Sequence, residues 1–212
     1  MASTEVEIVN MALNRIGQPS ITSAQYTAGT EVVPSYCVLH YAQCRDFLLR
    51  MHLWRFAIAR ATLTATTDDP IGQWTYAWSL PSDYLRMLYW WDDNDTKKEV
   101  SLYSYELAGK VMYTNETPVK IKYIKKETTV TNFDPLFMEV LILQLARRLV
   151  VPIAGVKNTL KKDIDEELVP LMHKVRVIDK QEQNTVGRGE MDTWNDAMFG
   201  FGLRDPTKLG SN

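Results

Sequence analysis

The chain has 212 residues, 45% of them hydrophobic, and a formal net charge of −2. That allows one domain or two small ones with a sizeable core, and it excludes the strong basic excess of a dedicated duplex-DNA binder. No run of 18 apolar residues occurs, so no membrane span is expected; Met1-Ala2-Ser3-Thr4-Glu5 lacks the basic start and apolar run of a signal peptide.

The first predicted element is a helix. Thr4 and Glu7 make a capping-box pattern, Val6, Val9, Leu13 and Ile16 recur at helical spacing, and Gly17 with Pro19 stops the run. Residues 18–33 read as a polar connection. A second helix is expected from Val33-Pro34-Ser35 to about Trp54, with Cys37, Tyr41, Cys44, Leu48 and Met51 as its apolar stripe. It runs into an aromatic segment, Trp54-Arg55-Phe56. Residues 66–73 are a turn-rich break. Strand candidates follow at Trp74–Leu80, Tyr84–Trp91, Glu99–Tyr105, Lys110–Tyr113 and Val119–Ile124, with Asp92-Asp93-Asn94-Asp95 as a loop. Helix returns at Asp134-Pro135, an N-cap followed by proline in the first turn. Phe137, Val140, Leu141, Gln144, Leu145, Arg148 and Leu149 mark its packed face, and Pro152 should end it. A last helix from Asn158 or Thr159 carries Leu160, Ile164, Leu168, Leu171, Val175 and Ile178, with a kink expected at Pro170.

The pattern dissolves near Glu182. Five of the ten glycines lie in the last 26 residues: Gly187, Gly189, Gly200, Gly202 and Gly210. The same stretch holds Met191, Trp194, Met198, Phe199, Phe201 and Leu203, too many large apolar groups for a purely solvated tail. They are expected to anchor an arm on another polypeptide. The reading is therefore α+β: an antiparallel helical bundle from residues 1–65 and 132–181, an inserted small antiparallel β domain at 66–131, and an extended C-terminal arm at 182–212.

Little in the chain points to catalysis. Cys37 and Cys44 would share a helix face with about 10 Å of rise between them, beyond disulfide reach, and read as reduced core thiols. His40 and His52 would be about 18 Å apart on one helix, and no Cys-x-x-Cys or His-Glu-x-x-His occurs, so no metal or cofactor is expected. There is no phosphate loop and no Gly-x-Ser-x-Gly elbow. Asp68, Asp69, Asp83, Asp92 and Asp93 beside aromatic strands leave one enzymatic alternative, a polysaccharide hydrolase. Lys120, Lys122, Lys125 and Lys126, interleaved with Val119, Ile121 and Tyr123, read as a strand with an apolar inner face and a basic outer one. That outer face is either simply solvated or a contact for DNA or an acidic partner. The pairs Arg45-Asp46 and Arg147-Arg148 are expected at helix edges, pairing between helices or subunits.

The order of these blocks resembles the tail tubular protein A, or head-to-tail adaptor, family of short-tailed double-stranded DNA phages. The resemblance rests on Asn10-Met11-Ala12-Leu13-Asn14-Arg15-Ile16-Gly17, Cys44-Arg45-Asp46-Phe47-Leu48-Leu49-Arg50 and Trp54-Arg55-Phe56-Ala57. It continues through Trp78-Ser79-Leu80-Pro81-Ser82-Asp83-Tyr84-Leu85-Arg86, Ile121-Lys122-Tyr123, Phe133-Asp134-Pro135-Leu136-Phe137 and Leu145-Ala146-Arg147-Arg148-Leu149 with Pro152. It spans roughly residues 6–155. The resemblance implies a non-enzymatic virion protein of the tail, assembled in the host cytoplasm. It implies a ring of twelve subunits between a portal ring and a tail nozzle, passing DNA during ejection, with a C-terminal arm gripping the portal and no cofactor.

Overall fold

In a computed structural model, residues 4–66, 70, 72–91, 97–98, 105–117, 119–155 and 158–183 are described; side-chain surroundings are not described at 97–98, 158 and 179–183. The fold mixes helices with antiparallel sheets. Described residues as far as Val169 belong to one compact unit, and a second begins at Pro170.

Helix α1 (Glu5–Arg15) starts as its sequence dictates. The Glu7 N–H donates to the Thr4 hydroxyl at 3.3 Å, and the Thr4 N–H donates to the Glu7 carboxylate at 3.4 Å. The expected polar connection contains a further helix, α2 (Ser23–Ala28). Thr22 and Gln25 form a second capping box, and Gly29 closes the turn at φ 57°, where a Cβ would be strained. Asn10 holds the segment to α1, donating to the Ile21 carbonyl at 3.0 Å and accepting from the Ile21 N–H at 2.8 Å.

Helix α3 (Val32–Met51) ends earlier than expected. His52 is extended, and a single 3-10 turn at Arg55–Ala57 leads straight into strand. Cys37, Tyr41, Cys44 and Leu48 are buried, but Met51 faces solvent. Both cysteines are free thiols.

Helix α4 (Pro135–Ala154) begins as expected: the Leu136 N–H donates to the Asp134 carboxylate at 2.7 Å and Pro135 occupies the first turn. It does not stop at Pro152. The proline sits in the final turn, where it removes one bond near the helix end, and Gly155 at φ 76° terminates the run. From Phe137 to Val150 nearly every side chain is buried, on all faces, which marks a central helix. Helices α1 and α3 both pack on it.

The aromatic segment after α3 closes on the start of α4. Trp54 meets Phe137 edge-on at 5.0 Å between centroids, Phe56 meets Phe137 at 5.1 Å, and Phe133 meets Phe137 at 4.9 Å. The Trp54 indole N–H donates to the Leu48 carbonyl at 2.9 Å.

Strand structure starts at Ile58, ahead of the turn-rich break. β1 (Ile58–Thr62), β8 (Lys120–Lys125), β4 (Tyr84–Trp91) and β5 (Lys97–Lys98) form one antiparallel sheet in the order β1-β8-β4-β5. β2 (Thr64–Ala65), β3 (Tyr76–Ser79), β7 (Val111–Thr114) and β6 (Glu106–Ala108) form the other, in the order β2-β3-β7-β6. The expected strand Glu99–Tyr105 lies, apart from Tyr105, outside the described residues, as does the loop Asp92–Asp95. Trp78 and Met112 of one sheet share a core with Met87, Trp90, Ile121 and Tyr123 of the other. Register irregularities in β4 between Tyr84 and Arg86 and between Met87 and Tyr89 set its outward side chains. Among the described residues, no helix is long and apolar enough to cross a membrane.

Helix α5 (Asn158–Gln183) continues through Pro170. Along its expected stripe Ile164 and Val175 are buried, and Leu160, Leu168, Leu171 and Ile178 are half-buried.

Candidate functional site

Strand β8 behaves as its alternation requires on the inner side, with Val119, Ile121 and Tyr123 buried. Its four lysines, however, do not form one basic face. Lys125 and Lys126 are engaged by acids. The Lys125 ammonium lies 2.6 Å from the Glu127 carboxylate, and the Lys126 ammonium lies 2.8 Å from Asp46.

Lys120 and Lys122 belong to a different constellation. Across the ladder, Arg60 of β1, Lys122 of β8 and Tyr89 of β4 stand in one row. Thr62, Lys120 and Trp91 stand in the next. The Lys122 ammonium sits 5.9 Å from the Tyr89 ring centroid, and the Arg60 guanidinium sits 6.0 Å from that of Trp91. Arg60, Ala61, Thr62, Trp91, Lys120 and Ile121 line an open cleft of about 380 Å³. Two rows on three strands cover a patch roughly 10 Å by 7 Å. Arg60 and Thr62 are exposed, and Tyr89, Trp91, Lys120 and Lys122 are half-exposed. Cations alternating with aromatic rings suit a ligand that offers both negative charge and flat faces.

Lys120 and Lys122 stood out in the sequence, but Arg60, Tyr89 and Trp91 did not. Arg60 sits in Ile58-Ala59-Arg60-Ala61-Thr62, a weak strand signal just after a helix. Trp90 and Trp91 look alike in the sequence, yet Trp90 is fully buried and Trp91 lines the cleft. Period two was the available signal; register to β8 was not.

The second pair of lysines anchors structure. Glu127 is buried, and it accepts from the Thr129 N–H at 2.9 Å and from the Asn132 amide at 3.2 Å besides Lys125. Burial alone would raise its pKa, but these donors outweigh burial and hold the carboxyl at about 2. Asp46 accepts from the Arg45 Nε at 2.9 Å and Nη2 at 2.8 Å while also meeting Lys126, so it joins α3 to the end of β8. Arg45 is nearly fully buried, deeper than the helix edge expected for it, and it also approaches Glu5 at 3.9 Å. Arg147 pairs with Asp165 of α5.

Of the carboxylates considered for sugar chemistry, Asp83 accepts from the Tyr123 hydroxyl at 3.0 Å. Burial and that carboxylate push Tyr123 up to about 12. Asp68, Asp69, Asp92 and Asp93 lie outside the described residues. Among the described residues, no group of three or more His, Cys, Asp or Glu side chains could hold a metal ion. Met191, Trp194, Met198, Phe199, Phe201 and Leu203, the expected arm anchors, also lie outside them.

One further surface stands out. On α3 the side turned from the core carries Val32, Leu39, Phe47 and Met51, all exposed; Leu39 is 55% exposed and Phe47 46%. At about 100° per residue, their spacing of seven, eight and four residues spreads them over roughly a third of the helix circumference, with Gln43 and Arg50 on the same arc.

A scan against protein-family models found no match to this chain, and a search of curated proteins found none either.

Proposed function

We propose that the chain is a head-to-tail adaptor subunit of a short-tailed phage virion. In this reading twelve copies form a ring between the portal and the tail nozzle and let DNA pass during ejection. The helices before Ile58 and after Phe133 make the helical part, the strands from Ile58 to Lys125 the inserted β domain, and residues 182–212 an arm that grips the portal or a neighbouring subunit. The resemblance of the ordered blocks over residues 6–155 supports this, as does the run of helices, then strands, then helices along the chain.

The observation that carries the reading is the set of large apolar side chains that α3 turns to solvent. A monomeric protein has little reason to spend Val32, Leu39, Phe47 and Met51 on water along one helix. A ring subunit has such a reason, because each copy can cover these side chains on its neighbour. The arm then adds affinity through a few aromatic anchors, and many identical copies add avidity.

The test is association with the portal protein of the same genome. Full-length chain should co-sediment with portal rings. Chain lacking residues 186–212 should stay folded by circular dichroism and lose that association. Full portal binding by the truncated chain would overturn the arm assignment. Reducing-sugar release from capsule or cell-wall polysaccharide by the purified protein would replace the reading with a hydrolase.

A further inference from the structure

The outward face of the β1-β8-β4 sheet has no assigned role in an adaptor ring, yet its composition is specific. We infer that Arg60, Lys120 and Lys122, with Tyr89 and Trp91, form a binding site for a short single strand of nucleic acid.

Charge comes first. A chain with net charge −2 gathers three cationic side chains into one two-row patch. Lys120 and Lys122 are two residues apart on one strand, about 7 Å, comparable with the step between successive phosphates of an extended strand. Arg60 lies one strand over, and its planar fork suits phosphate oxygens. The rings come second. Trp91 borders the cleft of about 380 Å³ together with Arg60 and Lys120, and Tyr89 stands in the adjacent row. Unpaired bases stack on such rings, which is how sheet faces hold single strands without reading sequence. A duplex hides its base faces and would use the cations alone. An acidic peptide would likewise leave the rings without a matching partner. The favoured occupant is therefore a single strand of a few nucleotides. Binding here does not require ring assembly, so it succeeds or fails independently of the adaptor reading.

The experiment is fluorescence anisotropy of the full-length chain with a labelled twelve-residue oligothymidine at 50 and 200 mM salt. Release of counterions from about three phosphates predicts weakening of roughly 20-fold between those concentrations. Arg60→Gln and Lys122→Gln should each flatten that dependence, and Trp91→Leu should weaken binding about tenfold or more. Lys162→Gln on exposed α5 should change nothing. Circular dichroism and melting temperature establish that each variant is folded; if Trp91→Leu is not, Tyr89→Leu reports the same stacking. Tighter binding of the matching duplex, or of a polyglutamate peptide, would overturn the single-strand assignment. Binding that all of these variants leave intact would overturn the site, as would the absence of binding at 50 mM salt.

Discussion

Glu127 offers the sharpest energetic test of how the sheet is fastened to the helices. It lies just after β8 and before the 3-10 turn at Val130–Asn132, buried, with Lys125, Thr129 and Asn132 donating to it. An ordinary glutamate titrates near 4.3, whereas this one is held at about 2. The gap corresponds to stabilisation on the order of 3 kcal/mol at neutral pH. The folded carboxyl binds fewer protons than the unfolded one at acid pH. Its contribution is therefore complete above about pH 5 and declines as pH falls toward 2, with about half gone near pH 3. Glu127→Gln keeps the size and one acceptor but removes the charge. Urea denaturation should show the variant about 2–3 kcal/mol less stable at pH 7, with the difference from the native chain shrinking to roughly 1.5 kcal/mol at pH 3. A pH-independent difference, or a loss under about 0.5 kcal/mol at pH 7, would refute the assignment of that energy to the ionised carboxylate.

Other outcomes follow from the same structure. Phe137 is fully buried at the centre of the Trp54-Phe56-Phe133 cluster; Phe137→Ala should cost about 3–5 kcal/mol and lower the melting temperature by roughly 10 °C, measured by calorimetry. Burial pushes the thiols of Cys37 and Cys44 up to about 11, so iodoacetamide at pH 8 should leave both unmodified in the native chain and label both in urea, read by mass spectrometry. Phe47→Glu changes an exposed side chain and should shift stability by less than about 0.5 kcal/mol, yet abolish ring formation in sedimentation velocity.

How much of this was legible in the sequence depends on the range of the interactions involved. Thr4 with Glu7 and Asp134 with Pro135 announced two helix starts because capping is local. The same local chemistry at Thr22, Gln25 and Gly29 would have revealed α2; the polar surroundings of residues 18–33 concealed it. α4 is nearly continuous in apolar residues, as a helix buried on all faces must be. The strand β1 was hidden because Ile58-Ala59-Arg60-Ala61-Thr62 gains its identity from pairing with Lys120–Ile124, some sixty residues away. The candidate site shares that origin. Lys120 and Lys122 could be picked out by alternation, but their neighbours Arg60, Tyr89 and Trp91 come from cross-strand register and from irregularities in β4. Likewise, Val32, Leu39, Phe47 and Met51 are visible in sequence as apolar positions on α3, but only packing decides that Cys37, Tyr41 and Cys44 face the core and these four do not.

The most direct test of the adaptor proposal is electron cryomicroscopy of the full-length chain mixed with the portal protein of the same genome. The account predicts twelve copies in a closed ring on one end of the portal, with the exposed apolar side chains of α3 covered by the adjacent copy. Portal rings that remain bare beside a monomeric chain at micromolar concentration would contradict it.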